Sequence, residues 1–245
     1  MREHFHEALT VMENSFERLE KQVQPPQIVK WLDSFVLRHM EQTIHQALIQ
    51  KLARNISGLH AIDVLLSGGF LQEQGVLHRT LDEIREDIFF LAAALTNDKV
   101  TDLHRDYLAA FFAEEFDQEN QDARPNRPNN VPRKKIRAYV TRILSTDPNP
   151  SKLADMDEKI ASAYSGFVHA SSPQIMDMCV GVTPKFHISG MLGTSRMASS
   201  IRDAWNYYYR GLCSTTIVAK AFGDKSLVDA LIAYLDKFEK TSLSK

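Results

Sequence analysis

Arg79 and Glu83 stand four residues apart in the run HRTLDEIRED, with Glu86 three residues further on. On a helix that spacing gathers a guanidinium and carboxylates on one face, opposite a leucine stripe. Such a set either lines a cleft or forms a solvated ion pair contributing only ~0.2–0.5 kcal/mol. Phe89 and Phe90 lie off the stripe, which predicts a helix covered on more than one side. Further along, Ser162, Ser165 and His169 share one face of a second helix, and Ser165 and His169 are close enough for a hydrogen bond. A serine nucleophile also needs an orienting acid and an oxyanion hole. No G-x-S-x-G elbow is present, so the pair by itself is poor evidence for a hydrolase. A histidine near a helix C-terminus also suits the dipole there.

Three other patterns carry charge or rings. Glu3 and His6 have the Glu-x-x-His spacing of di-iron bundles, but only one such motif occurs and no HExxH or cysteine cluster joins it. Neither a metal nor a cofactor is expected. Between Ala123 and Thr146 there are seven basic residues and no acid, with Arg133, Lys134, Lys135 and Arg137 close together. That segment could grip phosphates with salt-dependent affinity, or neutralise the acidic stretch before it. Finally, Trp205, Tyr207, Tyr208 and Tyr209 cannot all face one way on a helix. Some must reach a second element, a pocket or an interface.

Helical periodicity runs through most of the chain. Phe5, Leu9, Met12, Phe16 and Leu19 step by threes and fours, and Pro25 and Pro26 end that helix. A second helical region is expected from Gln27 to Ser67, bent near its middle, with Ile28, Trp31, Leu32 and Phe35 opening its stripe and Gly68 and Gly69 stopping it. The clearest stripe is Leu77, Leu81, Ile84, Ile88, Leu91 and Leu95, predicting a helix from Leu71 to Thr96. Further helices are expected over Val100–Asn120, Pro132–Leu144, Lys152–Ala170, Ser195–Phe222 and Leu227–Phe238. The Pro- and Asn-rich stretch at 121–132 reads as a surface loop. The stretch from Ser171 to Ser195, with two prolines and three glycines, reads as a small β-hairpin or as irregular structure.

The fold expectation is therefore all-α: one multi-helix bundle over 1–245. At 245 residues, with 44% apolar and 24% charged residues, the chain can bury a full core. A net charge of −2 advertises no nucleic-acid or membrane partner globally. No apolar run is long enough to span a bilayer, and the amphipathic start lacks the apolar core of a secretory signal. Two cysteines far apart, Cys179 and Cys213, fit a reducing compartment, so cytoplasm is expected.

Two resemblances add to this. Arg38 and His45, with six residues between them, are similar to the Arg-x(4–6)-His signature of HEPN-type ribonucleases, although that family places its motif late in the domain. More extensively, Gly58–Leu91 followed by YSGFVHAS resembles an uncharacterised bacterial family of helical domains. That family pairs an Arg-[Ser/Thr]-Leu-x-Glu helix with a later Ser-x-x-His helix and is distantly HEPN-like. The resemblance implies that Arg79, Glu83, Tyr164, Ser165 and His169 converge in a polar cluster between helices. It also implies a link to stress response or phage defence, but supplies no activity. The resulting expectation is a helical binding or interaction protein. Its rival is a metal-independent HEPN-type ribonuclease acting as a homodimer, with the 124–142 basic segment touching nucleic acid.

Overall fold

A computed structural model describes residues 2–113, 130–144 and 164–241. Four helices build the centre: α1 (Arg2–Glu20), α2 (Ile44–Gly68), α3 (Leu71–Thr96) and, after the intervening elements, a long helix over Arg196–Ala221. Helices α2 and α3 form a helical hairpin, and the Arg196–Ala221 helix packs on both of them and on α1. Around this centre lie α4 (Asp102–Phe112), against α2 and α3, and α5 (Arg133–Leu144), against α3. Residues 164–168 are helical and lead into the one-turn α6 (Ser172–Met176). In chain order the long helix is α7, and α8 (Lys225–Lys240) folds back onto α7 and α1. The expected all-helical bundle is what forms. Among the described residues no helix is long and apolar enough to cross a membrane.

The core follows the stripes. Leu81, Ile84, Ile88 and Leu91 of α3 are buried, as are Leu48, Leu52, Leu59 and Ile62 of α2. Phe5 stacks flat on Tyr208 at 4.3 Å, and the Tyr208 hydroxyl donates to the Leu59 carbonyl at 2.9 Å. A large ring is thus buried between α1, α2 and α7 with its polar end satisfied.

At its start α2 carries a capping box, with the Thr43 side chain accepting from Gln46 N and the Gln46 side chain accepting from Thr43 N. These bonds satisfy two backbone donors that the first turn leaves open. Thr43→Ala is therefore expected to lower stability by about 1 kcal/mol, read as a shift in urea midpoint at unchanged m-value. At the other end the expected glycine stop is present, with Gly69 at φ 73 closing the helix. Here the segment before α7 is tied to the α2–α3 corner: Met191 N donates to Gly69 O at 2.8 Å. A Cβ on Gly190, at φ 106, would lie 2.1 Å from the Gly68 carbonyl oxygen, so only glycine permits this approach.

The region expected to be helical from Gln27 differs. It holds an antiparallel hairpin, β1 (Gln27–Trp31) and β2 (Ser34–Arg38), in register from Gln27↔Arg38 to Trp31↔Ser34. Ile28, Trp31, Leu32 and Phe35 are spaced as a helix stripe would be, which is why the helical reading fails here. The β-branched and aromatic content over ten strand residues favours the pleated alternative. Ile28, Phe35 and Leu37 share the hairpin's outer face, with Ile28 75% and Phe35 70% exposed. They therefore do not open the α2 stripe.

Elsewhere the boundaries are close to expectation. Helix α4 stops at Phe112, short of Asn120, with Ala113 extended at ψ 134. In the 171–195 stretch a small hairpin does form, β3 (Cys179–Val180) paired with β4 (Lys185–Phe186). Ser195 occupies the N-cap position of α7 without making a side-chain capping bond. Both cysteines are free thiols. Residues 114–120 of the expected Val100–Asn120 helix, the expected surface loop up to residue 129, and the start of the expected Lys152–Ala170 helix, Ser162 included, lie outside the described residues.

Candidate functional site

Helix α3 presents two polar faces, and they serve different neighbours. The first carries the sequence-predicted pair: Arg79 Nη2 meets Glu83 Oε1 at 2.6 Å. It continues into a network with α5. Arg133 donates to the Glu83 backbone carbonyl at 2.6 Å and pairs with Asp87, while Arg137 pairs with Glu86 at 2.7 Å. From α2, Lys51 reaches the other Asp87 oxygen at 2.8 Å. Burial pushes the Glu86 carboxyl up from its ordinary range, against the pull of Arg137 and Arg133. The network fixes α5 on the bundle. Two of the four basic residues expected to form a phosphate-gripping patch, Arg133 and Arg137, are thereby turned onto carboxylates, while Lys134 and Lys135 are exposed.

The second face holds Gln74, His78 and Asp82, one turn apart and all buried. It faces α7. The His78 ring stacks on Tyr207 at 3.8 Å with planes 7° apart, and Tyr164 meets His78 edge-on at 5.4 Å. The Tyr207 hydroxyl donates to Asp82 Oδ2 at 2.8 Å, and Arg210 Nη1 to Asp82 Oδ1 at 2.8 Å. Arg210 also lies over the Tyr207 ring at 5.1 Å, where the ring's negative face favours a cation. Burial raises the Asp82 carboxyl, with Arg210 and the Tyr207 hydroxyl drawing it back.

The protonation state of His78 follows from its neighbours. Gln74 Nε2 donates to the Ser200 carbonyl at 2.9 Å, which fixes the orientation of the amide. The same nitrogen lies 3.3 Å from His78 Nε2, so its second hydrogen finds an acceptor there. His78 is then neutral, with its proton on Nδ1. Desolvation and nearby Arg210 agree, pulling the imidazole down to about 3.

With Nε2 so engaged, Gln74 Oε1 is buried without a partner. Gln74 lines a cleft of ≈ 140 Å³ between α3, residues 164–168 and the start of α7. Tyr164 and Phe167 supply aromatic walls, and Asp203 a carboxylate. The Phe167 ring lies directly over Gly75, where a Cβ would come within 2.6 Å of it. That close seat brings the 164–168 turn down onto α3. Burial raises Asp203, and it pushes the Tyr164 hydroxyl up to about 12 with help from the Asp203 and Asp82 carboxylates.

No family model, curated protein or solved structure matches the chain.

What the site does therefore rests on its geometry. Of the five residues expected to converge, Arg79 and Glu83 meet each other on the α5-facing side, and Tyr164 lines the cleft on the α7-facing side. Ser165 is half-buried and His169 exposed, joined by the backbone bond from His169 N to Ser165 O at 3.1 Å. Among the described residues no hydrogen bond or ion pair links either of them to Arg79 or Glu83. The buried polar residues lie one position earlier in the same motif, at His78 and Asp82. Their signal in the sequence is the Gln74, His78, Asp82 spacing of four, matched by Tyr207 and Arg210 three apart on α7.

The remaining candidates separate. Arg38 ends β2 and lies over Trp31 at 5.7 Å, whereas His45 sits in the first turn of α2, edge-on to Phe222 at 4.8 Å. His6 bonds to Asp63 at 3.1 Å. Among the described residues no three His, Cys, Asp or Glu side chains gather around a metal-sized space. The aromatic run divides as its spacing requires: Tyr207 enters the cluster and Tyr208 the core. Trp205 stacks on Phe238 of α8 at 5.3 Å and donates to Thr241 at 3.1 Å.

Proposed function

We propose that the protein is a helical binding protein whose ligand seats in the cleft between α3, residues 164–168 and α7. The observation that carries this reading is the cleft itself, ≈ 140 Å³ walled by the rings of Tyr164 and Phe167 with the Asp203 carboxylate among its lining. The neighbouring groups support binding over catalysis. A histidine whose acidity lies near 3 is a poor base at neutral pH, and Asp82 already serves Tyr207 and Arg210.

The test is a thermal-shift screen of small polar compounds against the wild type and Ser200→Trp, whose indole fills the cleft. Compounds that bind should raise the wild-type Tm in proportion to the logarithm of their concentration above Kd, by the equivalent of about 2.7 kcal/mol at a hundredfold excess, and leave Ser200→Trp unmoved. RNA cleavage by the wild type, abolished in His169→Ala, would overturn the reading in favour of the ribonuclease. So would a screen in which no compound distinguishes the two proteins.

A further inference from the structure

The β1–β2 hairpin stands apart from the bundle. Val29, Trp31, Leu32 and Val36 are half-buried, yet none of them joins the hydrophobic core. On the other face Ile28, Phe35 and Leu37 are more than half exposed. A two-stranded hairpin alone is marginal in water and needs a third strand or a covering element. Its two edges differ. β1 is entered through Pro25 and Pro26 and carries Lys30, features that discourage pairing at an edge. β2, SFVLR, has no proline and no charge before Arg38. Leu32 and Asp33 form the two-residue loop, so Trp31 and Ser34, like Val29 and Val36, bond across the hairpin. The N–H and C=O groups of Phe35 and Leu37 therefore point out of the β2 edge. No backbone hydrogen bond from another described residue reaches them there. The Leu37 carbonyl accepts from Arg38 Nη1 at 2.9 Å, which leaves its second lone pair open.

We infer that the β2 edge joins two copies of this chain, antiparallel about a two-fold axis at Val36, into one four-stranded sheet. The strand is its own complement. In this register Phe35 of each copy faces Leu37 of the other, and each such pair exchanges two main-chain hydrogen bonds. The phenyl ring and the leucine side chain meet directly across the strands. Charge selects the same pairing. β2 runs from Asp33 at the loop to Arg38 and His39 at its foot. An antiparallel copy therefore brings the acidic end of each strand beside the basic end of the other. Contact along one short strand predicts a weak dimer that forms as concentration rises.

Sedimentation velocity of the full chain, from low micromolar to near-millimolar concentration, reads the association. Wild type is expected to pass from monomer to dimer over that range. Leu37→Pro removes an N–H from the β2 edge, where proline leaves the inner ladder intact, and should raise the dimer Kd at least tenfold. Ile28→Pro, directly across on the same outer face, removes an N–H from the β1 edge instead and should leave the dimer unchanged. Far-UV circular dichroism should show the same helix content in both. Disulfide trapping under mild oxidation reads the register separately. Val36 would sit on the axis in a non-hydrogen-bonded pair, its Cα about 4.5 Å from its counterpart, within disulfide reach. Val36→Cys should therefore cross-link the dimer. Ser34→Cys, about 14 Å from its counterpart along the strand, should cross-link no more than wild type with its own two thiols. A wild type that stays monomeric throughout would overturn the inference, as would an unchanged Kd in Leu37→Pro. Loss of the dimer in Ile28→Pro as well, or trapping of Ser34→Cys as readily as Val36→Cys, would overturn the assignment to the β2 edge.

Discussion

Asp82→Ala is expected to lower the protein's stability by about 3 kcal/mol, most of it from what the substitution leaves behind. Asp82 accepts from the Tyr207 hydroxyl and the Arg210 guanidinium at the same time. Tyr207 is 4% exposed, so its hydroxyl would lose its partner where water cannot replace it, costing about 1–3 kcal/mol. Breaking a fully buried ion pair by removing one side costs about 3–5 kcal/mol. Arg210 keeps a third of its side chain in solvent and can turn outward, which places its share below that range. Asp82→Asn keeps one acceptor oxygen and should cost about half as much. Adding Tyr207→Phe to Asp82→Ala removes the stranded hydroxyl and should recover about 1 kcal/mol of the loss. Urea denaturation of the four proteins reads these values directly. In a chain of this size the alanine variant's Tm should fall by roughly 6–12 °C. A loss under 1 kcal/mol, or no recovery in the double variant, would show that the cluster does not act as a unit.

How much of this is legible in the sequence differs by element, and the reason is range. Helix α3 could be drawn to its last residue, because Leu81, Ile84, Ile88 and Leu91 encode burial through spacing within one helix. The glycine stop at Gly69 was legible for the same reason, since it is a local backbone requirement. The hairpin over Gln27–Arg38 was not. Four apolar residues there satisfy helical spacing by coincidence, and the pairing that decides the matter joins residues across a turn. The site lies between these cases. HRTLDE announces polar faces on α3, and the aromatic run announces a partner, but no local rule says which face meets which helix. Arg79 and Glu83 draw attention as an ion pair, yet they turn to α5. His78 and Asp82 look ordinary until Tyr207 and Arg210 arrive from more than a hundred residues away. The orphan oxygen of Gln74 is invisible in sequence, because it depends on which atom the Ser200 carbonyl engages.

Acid should destabilise the protein well above the ordinary range of its carboxylates, and His78 should carry a separable part of that loss. In the unfolded chain an imidazole titrates near 6.5, while in the folded protein burial holds His78 down to about 3. Between those values the unfolded state binds a proton that the folded state refuses. The stabilising contribution is therefore complete above pH 6.5 and is lost progressively as pH falls toward 3. The limiting slope is about 1.4 kcal/mol per pH unit for one proton, so about 2 kcal/mol is at stake between pH 6.5 and 5. Burial also lowers His45 and His104, which add to the trend. The raised carboxyls of Asp82, Glu86 and Asp203 act in the opposite sense, because the folded state then binds the extra proton as pH falls through their raised values. A variant isolates the His78 share. His78→Phe keeps a ring against Tyr207 and Tyr164, removes the titrating nitrogen, and leaves Asp82 and Arg210 in place. It should be less stable than wild type at pH 7.5, because Gln74 loses an acceptor. Its stability should then decline more slowly on acidification, so that the two curves converge between pH 6.5 and 5. Urea midpoints at half-unit steps of pH measure both slopes. Parallel curves would mean that His78 takes up a proton as readily in the fold as in the unfolded chain, and its assignment as a neutral acceptor for Gln74 would be wrong.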